Sequence, residues 1–391
     1  GACAVNPAVH WWSNSPHAPT GYGTQTKAVA HRLADQGFPV SIGSNYGLEG
    51  VGVQDVTEGG SPCPVYPRGY DGYSQDTIAA HWKDWSRRNP DRPSLLVTLY
   101  DVWVLTAPSL REVPAIASWV PLDHMTVPPK VLNWLRQPNV APITMSRFGR
   151  DALERLDVQA TYIPHTFEDV FRPRDRAAAD DLLDVPQDAF VVMMNAANKG
   201  RAPTRKAWSE NLLALAMFLK DHPDAVAYIH TEPVTPFGID LPALAEAAGI
   251  PKDRLTFPGA YPYRIGAYSE DMLARLYSRA DVLLAVSMGE GFGIPTVEAQ
   301  ACGTRVIGSD CAATPELLGP DSWKVEGQPE WDPEQGAFWF RPHVHAIVAA
   351  LREAYKEGGG RSQKAISHVG QYAAKNVVLK RWPDLIRSLA A

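Results

Sequence analysis

The sequence predicts an α/β protein of two Rossmann-like, doubly wound domains, and three observations carry the prediction. Short, nearly continuous apolar runs such as Ser94 to Leu99 (SLLVTL), Ala189 to Asn195 (AFVVMMN) and Ala280 to Val286 (ADVLLAV) fit strands buried on both faces of a parallel sheet. Segments of helical spacing alternate with these runs, and right-handed connections between parallel strands then give a doubly wound sheet. The 391 residues exceed one ordinary core and imply about two domains.

In chain order, Ala2 to Val9 is an apolar strand and residues 10–20 (HWWSNSPHAPT) a polar, proline-containing loop. Gly21-Tyr22-Gly23 opens a helix that carries Ala28, Val29, Leu33 and Ala34 on one face and stops at Gly37, a C-cap residue; Phe38 to Ile42 is the next strand. Because Gly21-x-Gly23-x-x-Thr26 lacks the third glycine of a dinucleotide fingerprint, hydride transfer is disfavoured. Residues 44–75 read as irregular connections, Thr77 to Arg88 as an amphipathic helix, and Ser94 to Leu99 as a strand ending at Asp101 and Trp103. Ligands of open α/β sheets gather beyond the carboxyl ends of strands, so Asp101 is an acceptor-contact candidate as well as a helix-capping one. Ile116 to Val120 leads to Asp123-His124, where the carboxylate can orient the imidazole. A helix over Lys130 to Leu135, a strand over Pro142 to Met145 and a helix reaching Leu156 follow.

Phe167 to Pro186 is charged and proline-punctuated, fitting a linker with a solvated helix over Arg174 to Leu183. After the strand ending at Asn195 comes a basic loop holding Lys199, Arg201, Arg205 and Lys206, then a helix from Trp208 to Lys220. Val226 to Thr231, Leu255 to Phe257, Ala280 to Val286 and Arg305 to Gly308 are strands; Leu241 to Ala248, Ser269 to Arg279 and His343 to Lys356 are helices.

The run Ser287 to Ala299 (SMGEGFGIPTVEA) joins a strand exit, a glycine-rich turn, a helix start and two acids. Gly291 and Gly293 remove side chains where the backbone bends or approaches a ligand, and Pro295 is tolerated in a first helical turn. The amide hydrogens of such a turn suit a phosphate or diphosphate, while Glu290 and Glu298 can accept hydrogen bonds from sugar or ribose hydroxyls. A strand-to-helix turn with a solvated Glu at each end has the same spacing.

Glu290-Gly-Phe-Gly-Ile-Pro-Thr-Val-Glu298, followed by Ala301-Cys-Gly303 and Val306 to Asp310, resembles the E-x7-E signature of retaining GT-B glycosyltransferases of family 4. The resemblance spans nearly the whole second half. It implies two Rossmann-like domains facing a central cleft, with boundaries at 1–168 and 169–370 and a terminal helix over 371–391 crossing back to the first domain. It implies a hexosyltransferase in which Glu298 binds ribose and Glu290 the transferred hexose. Gly291, Phe292, Gly293, Ile294, Pro295 and Thr296 would hold the diphosphate together with Lys206 and Arg201, for which Lys199 and Arg205 are substitutes. Gly21 and Gly23 match the family's first glycine-rich loop, on the donor diphosphate or the acceptor. His124 matches a residue touching the sugar or the acceptor, with Asp101 and Trp103 on the acceptor side. Tyr162 to Thr166 resembles the turn that ends the first domain, with Thr166 in place of glycine and His165 a possible ligand contact.

No Asp-x-Asp motif is present, and the basic loop can stand in for a metal's charge, so the reading calls for no metal and no cofactor besides the substrate nucleotide sugar. UDP-glucose is favoured over GDP-mannose; the hydroxyl acceptor can be a glycan, a lipid, a small molecule or a modified nucleic-acid base. With 45% hydrophobic and 20% charged residues and a net charge of −6, composition is that of a soluble protein without a global basic field. Cys3, Cys63, Cys302 and Cys311 have no metal-ligand spacing and read as reduced thiols of a cytoplasmic protein. No segment has the ~18 apolar residues of a membrane span. Trp11, Trp12 and Trp103 near first-domain loops can stack on sugar or base rings, though tryptophan commonly fills cores. A sugar-nucleotide epimerase and a non-catalytic binding module are the competing readings.

Overall fold

The computed structural model describes residues 5–200 and 203–390. The chain divides into two compact units: residues 1–122, 127–166 and 372–391 form one, and residues 123–126 and 167–371 the other. Residues 123–126, read from sequence at a strand end of the first domain, thus group with the second unit.

In the first unit the strands are β1 (Ala8–Ser13), β2 (Val40–Ser44), β3 (Val65–Tyr66), β4 (Ser94–Leu99), β5 (Ile116–Val120), β6 (Val140–Thr144) and β7 (Thr161–Tyr162). They form one parallel sheet in the order β3-β2-β1-β4-β5-β6-β7. β1 begins later than its apolar start suggests, because His10, Trp11, Trp12 and Ser13 are buried in the strand. Two of them place a polar atom on an internal partner: Trp11 Nε1 donates to Thr26 Oγ1 at 3.2 Å, and Ser13 Oγ to the Leu99 carbonyl at 2.8 Å. Trp11 and Trp12 are therefore core residues rather than loop platforms. Trp11, Trp119 and Trp382 pack edge to face, with ring centroids 5.2 Å (Trp11–Trp382) and 4.9 Å (Trp119–Trp382) apart. Trp382 belongs to the helix Ala374–Ala390, which the chain adds to its first unit last.

In the second unit, β8 (Phe190–Asn195), β9 (Ala225–His230), β10 (Leu255–Thr256), β11 (Val282–Ala285), β12 (Val306–Ser309) and β13 (Trp323–Val325) make a parallel sheet in the order β10-β9-β8-β11-β12-β13. Its helices carry the expected punctuation: Ser269 accepts from the Met272 amide at 3.2 Å, and Leu241–Ala248 ends at Gly249 with φ 87°. The helix expected over Arg174 to Leu183 is only a 3-10 turn, Arg176–Ala179, where Arg176 turns to bind Asp281. An antiparallel hairpin absent from the sequence reading, β14 (Gly327–Asp332) and β15 (Ala337–Pro342), stands apart from both sheets. Among the described residues, no helix is long and apolar enough to cross a membrane, and Cys63, Cys302 and Cys311 are buried free thiols.

Candidate functional site

Strand order in the second unit reverses between β8 and β11, which lie side by side. Crevices of open α/β sheets open beyond the carboxyl ends of strands at such a reversal. The basic loop leaves β8 there and the glycine-rich turn leaves β11.

The two segments are stitched together. The Met288 amide donates to the Arg205 carbonyl at 2.7 Å, and the buried Asn211 donates to the carbonyls of Lys206 (3.1 Å) and Val286 (2.9 Å). Glu290 receives both cations: Lys206 Nζ lies 2.6 Å from Oε1 and Arg205 Nη1 2.8 Å from Oε2, with Arg205 also donating to the Gly289 carbonyl at 2.9 Å. Burial opposes ionisation of Glu290, but Arg205 and Lys206 outweigh it and hold the carboxyl down at about 2. Lys206 is displaced downward by burial and by Arg205, against the pull of Glu290. Asp123 also favours the charged form of Lys206, so the two cations face two carboxylates here. Arg201 lies outside the described residues, Lys199 is exposed, and Arg205 is the arginine that joins Lys206.

The glycine-rich turn ends at Gly293, whose φ of 121° few other residues adopt, and the helix Ile294–Ala301 follows with Pro295 in its first turn. Gly293 offers no side-chain cap, so the first-turn amides beside Gly291 and Phe292 keep the anion-binding character of a helix start. Thr296 is buried and donates its amide to the Gly293 carbonyl at 3.0 Å. One turn on, buried Glu298 accepts from the Tyr277 hydroxyl at 2.8 Å, and that hydroxyl accepts from Asn195 Nδ2, at the end of β8, at 2.7 Å. Burial raises the Glu298 carboxyl to about 8, the Tyr277 hydrogen bond opposing. Glu290 and Glu298, eight positions apart, thus occupy opposite electrostatic environments on one turn.

Asp123 and His124 join this unit through the hairpin. His124 Nδ1 lies 3.0 Å from Asp123 Oδ1, and Nε2 lies 2.9 Å from Asp332 Oδ2. The ring stacks on Trp339 with centroids 3.5 Å apart. Both ring nitrogens are thereby engaged. Sequence reasoning missed Asp332 and Trp339, although alternation in Trp331, Phe338 and Phe340 around Pro333-Glu-Gln-Gly336 is a hairpin signal. Asn195 and Tyr277 were missed as well, and no local pattern marks them.

Gly21, Gly23, Asp101, Trp103 and His165 lie on the first unit. Gly21 and Gly23 open the helical segment Gly21–Thr26; a Cβ on Gly23 would stand 2.2 Å from the Ala18 carbonyl oxygen, so that glycine serves chain packing. Asp101 is exposed and accepts from the Tyr22 hydroxyl at 3.3 Å. Lys130 Nζ sits 5.6 Å from the Trp103 ring centre. His165 is buried edge-on to Trp119 at 4.5 Å and burial lowers it to about 3, while Thr166 is held by Gln25 at its amide (2.8 Å) and carbonyl (2.7 Å), with no left-handed backbone that would call for glycine.

Residues 212–355 match the family described as Glycosyl transferases group 1. A D-inositol 3-phosphate glycosyltransferase of Streptomyces scabiei is 31% identical over 228 residues, covering 56% of this chain and 49% of its own length. The chain spans about half the length of the curated relatives it matches most extensively. Sucrose-phosphate synthase from Thermosynechococcus elongatus superimposes with a TM-score of 0.73 at 18% identity, over 98% of this chain and 99% of that one. Anabaena Alr3699/HepE, solved in complex with UDP and glucose, gives a TM-score of 0.61 at 14% identity over 98% and 97%. At these identities the structural likeness is one of fold. Residues 212–355, within the second unit, are thus similar to glycosyl transferases group 1, in a chain of two parallel-sheet α/β units that shares its fold with solved glycosyltransferases.

Proposed function

We propose that the chain is a retaining glycosyltransferase of family 4 that moves a hexose from a nucleoside-diphosphate sugar to a hydroxyl acceptor. The observation that carries this reading is the pair Arg205 and Lys206 gathered on one carboxylate beside a helix start, at the strand reversal of a glycosyl transferases group 1 domain. Departure of a nucleoside diphosphate builds negative charge, and cations fixed in advance stabilise it more in the transition state than in the ground state.

In this scheme the anomeric C–O bond breaks with its electron pair passing to the diphosphate. The acceptor oxygen bonds to the same face of that carbon, and its proton passes to the leaving phosphate oxygen. Arg205, Lys206 and the amides of Gly291 to Ile294 hold the diphosphate, and no divalent ion is needed for the charge. Glu290, kept ionised, has lone pairs left for hexose hydroxyls, and Glu298 receives the ribose. UDP-glucose is the favoured donor, in keeping with the UDP and glucose of the Anabaena structure.

Calorimetry with UDP-glucose and GDP-mannose, in buffer containing EDTA, tests the reading. UDP-glucose binding that weakens by about tenfold or more in Lys206→Met and Arg205→Met supports it. A chain that binds neither nucleotide sugar, or binds one equally well without those cations, refutes it.

A further inference from the structure

The hairpin β14–β15 belongs to neither parallel sheet, yet it meets three parts of the site. Its Phe340 amide donates to the Met288 carbonyl at 2.8 Å, one residue before the Gly289-Glu290 turn. Its Phe338 carbonyl accepts from the Met125 amide at 2.8 Å, and the Phe338 amide donates to Thr126 Oγ1 at 3.1 Å, so residues 125 and 126 are held against it. At its tip Asp332 divides its carboxylate: Oδ1 accepts from the Glu334 amide at 3.0 Å and shapes the turn, and Oδ2 takes His124 Nε2.

Gly289 is where these parts converge. A Cβ there would stand 1.9 Å from the Asp123 carbonyl oxygen and 3.0 Å from the Trp339 ring, so residue 123 and the hairpin's indole pack directly on the turn that presents Glu290. We propose that Asp332 and Trp339 are positioning residues of the transfer site: by holding His124 from Nε2 and from its face, they seat residues 123–126 against the Gly289-Glu290 turn. This rests on the glycosyltransferase reading and adds to it an element outside the sheet.

The chemistry of the clamp is specific. Burial disfavours a charged imidazole, but Asp123 and Asp332 together outweigh burial and raise His124 above its ordinary value. When the ring is protonated both nitrogens donate, one to each carboxylate, while Trp339 covers a ring face. Lys206 and the Cys311 thiol are the other titratable groups near Asp123. A ring so held is a strut, and its loss is felt at Glu290.

Asp332→Asn separates the two functions of that carboxylate, since the amide oxygen can still accept the turn's N–H while its NH2 group faces a donating ring. In the 391-residue chain, Asp332→Asn is expected to lower kcat for hexose transfer from UDP-glucose by about ten- to a hundredfold, with KM for the donor changed less. Asp332→Glu should recover part of the loss, and in Asp332→Asn the NMR-detected His124 titration should move down, because a charge partner is lost. Trp339→Ala should reproduce the kinetic effect. An Asp332→Asn protein with kcat within about twofold of the parent chain and an unmoved His124 titration overturns the proposal. If the parent chain neither binds nor transfers from a nucleotide sugar, the glycosyltransferase reading fails and this role with it; an active parent with an indifferent Asp332→Asn removes the positioning role alone.

Discussion

Two acids on one turn experience opposite surroundings, and their titrations separate the roles assigned to them. Glu298 is neutral below about 8, and a ribose hydroxyl donates best to a carboxylate. Nucleoside-diphosphate affinity is therefore expected to rise between pH 7 and 9, and Glu298→Gln to flatten that rise, as calorimetry across the range would show. Glu298 binds more protons folded than unfolded between its ordinary value near 4.5 and about 8, so its stabilising contribution declines as pH rises through that window. Glu290 does the reverse: held at about 2, it adds stability above 4.5 that is lost as pH falls towards 2. Urea unfolding between pH 2 and 5 should show this acid limb in the parent chain and a shallower one in Glu290→Gln. Gly289→Ala should cost more than about 2 kcal/mol, because the obstructing atom is a backbone oxygen that cannot swing aside.

Among the elements, the segment joining β8 to the helix Trp208–Asp221 holds a buried residue in an unusual backbone state. Ala207, next to Lys206, has φ 49° and ψ 42°, a left-handed conformation that a β-branched side chain resists. Ala207→Val should lose about 2 kcal/mol of stability and weaken nucleotide-sugar binding with it, whereas Ala207→Gly should keep binding within about twofold. Thermal unfolding beside calorimetry distinguishes the two. Elements with strong local signals were legible from sequence: β4 and β5 fall where their apolar runs stand, and the helix Leu241–Ala248 ends at its glycine. β1 was displaced because Trp11, Trp12 and His10 sit amid polar neighbours, and their burial depends on partners elsewhere in the chain. The hairpin was missed because Pro329, Pro342 and its acids interrupt its alternation. Glu290, Glu298 and Lys206 could be named because they lie in local motifs. The pairing of Arg205 with Glu290, and the places of Tyr277 and Asp332, depended on contacts between distant stretches.

For the molecule as a whole, one chain builds two parallel-sheet units but does not build them one after the other. Residues 372–391 return to the first unit, where Trp382 fills the angle between Trp11 and Trp119. Trp382→Ala should remove about 3–5 kcal/mol from that unit, read as an earlier loss of near-ultraviolet tryptophan dichroism on heating. During synthesis the sheet of the first unit thus has to wait for the helix Ala374–Ala390, and the second unit can close before the first is finished. A nascent chain stalled near residue 370 would hold a finished rear half and two indoles still short of their third companion.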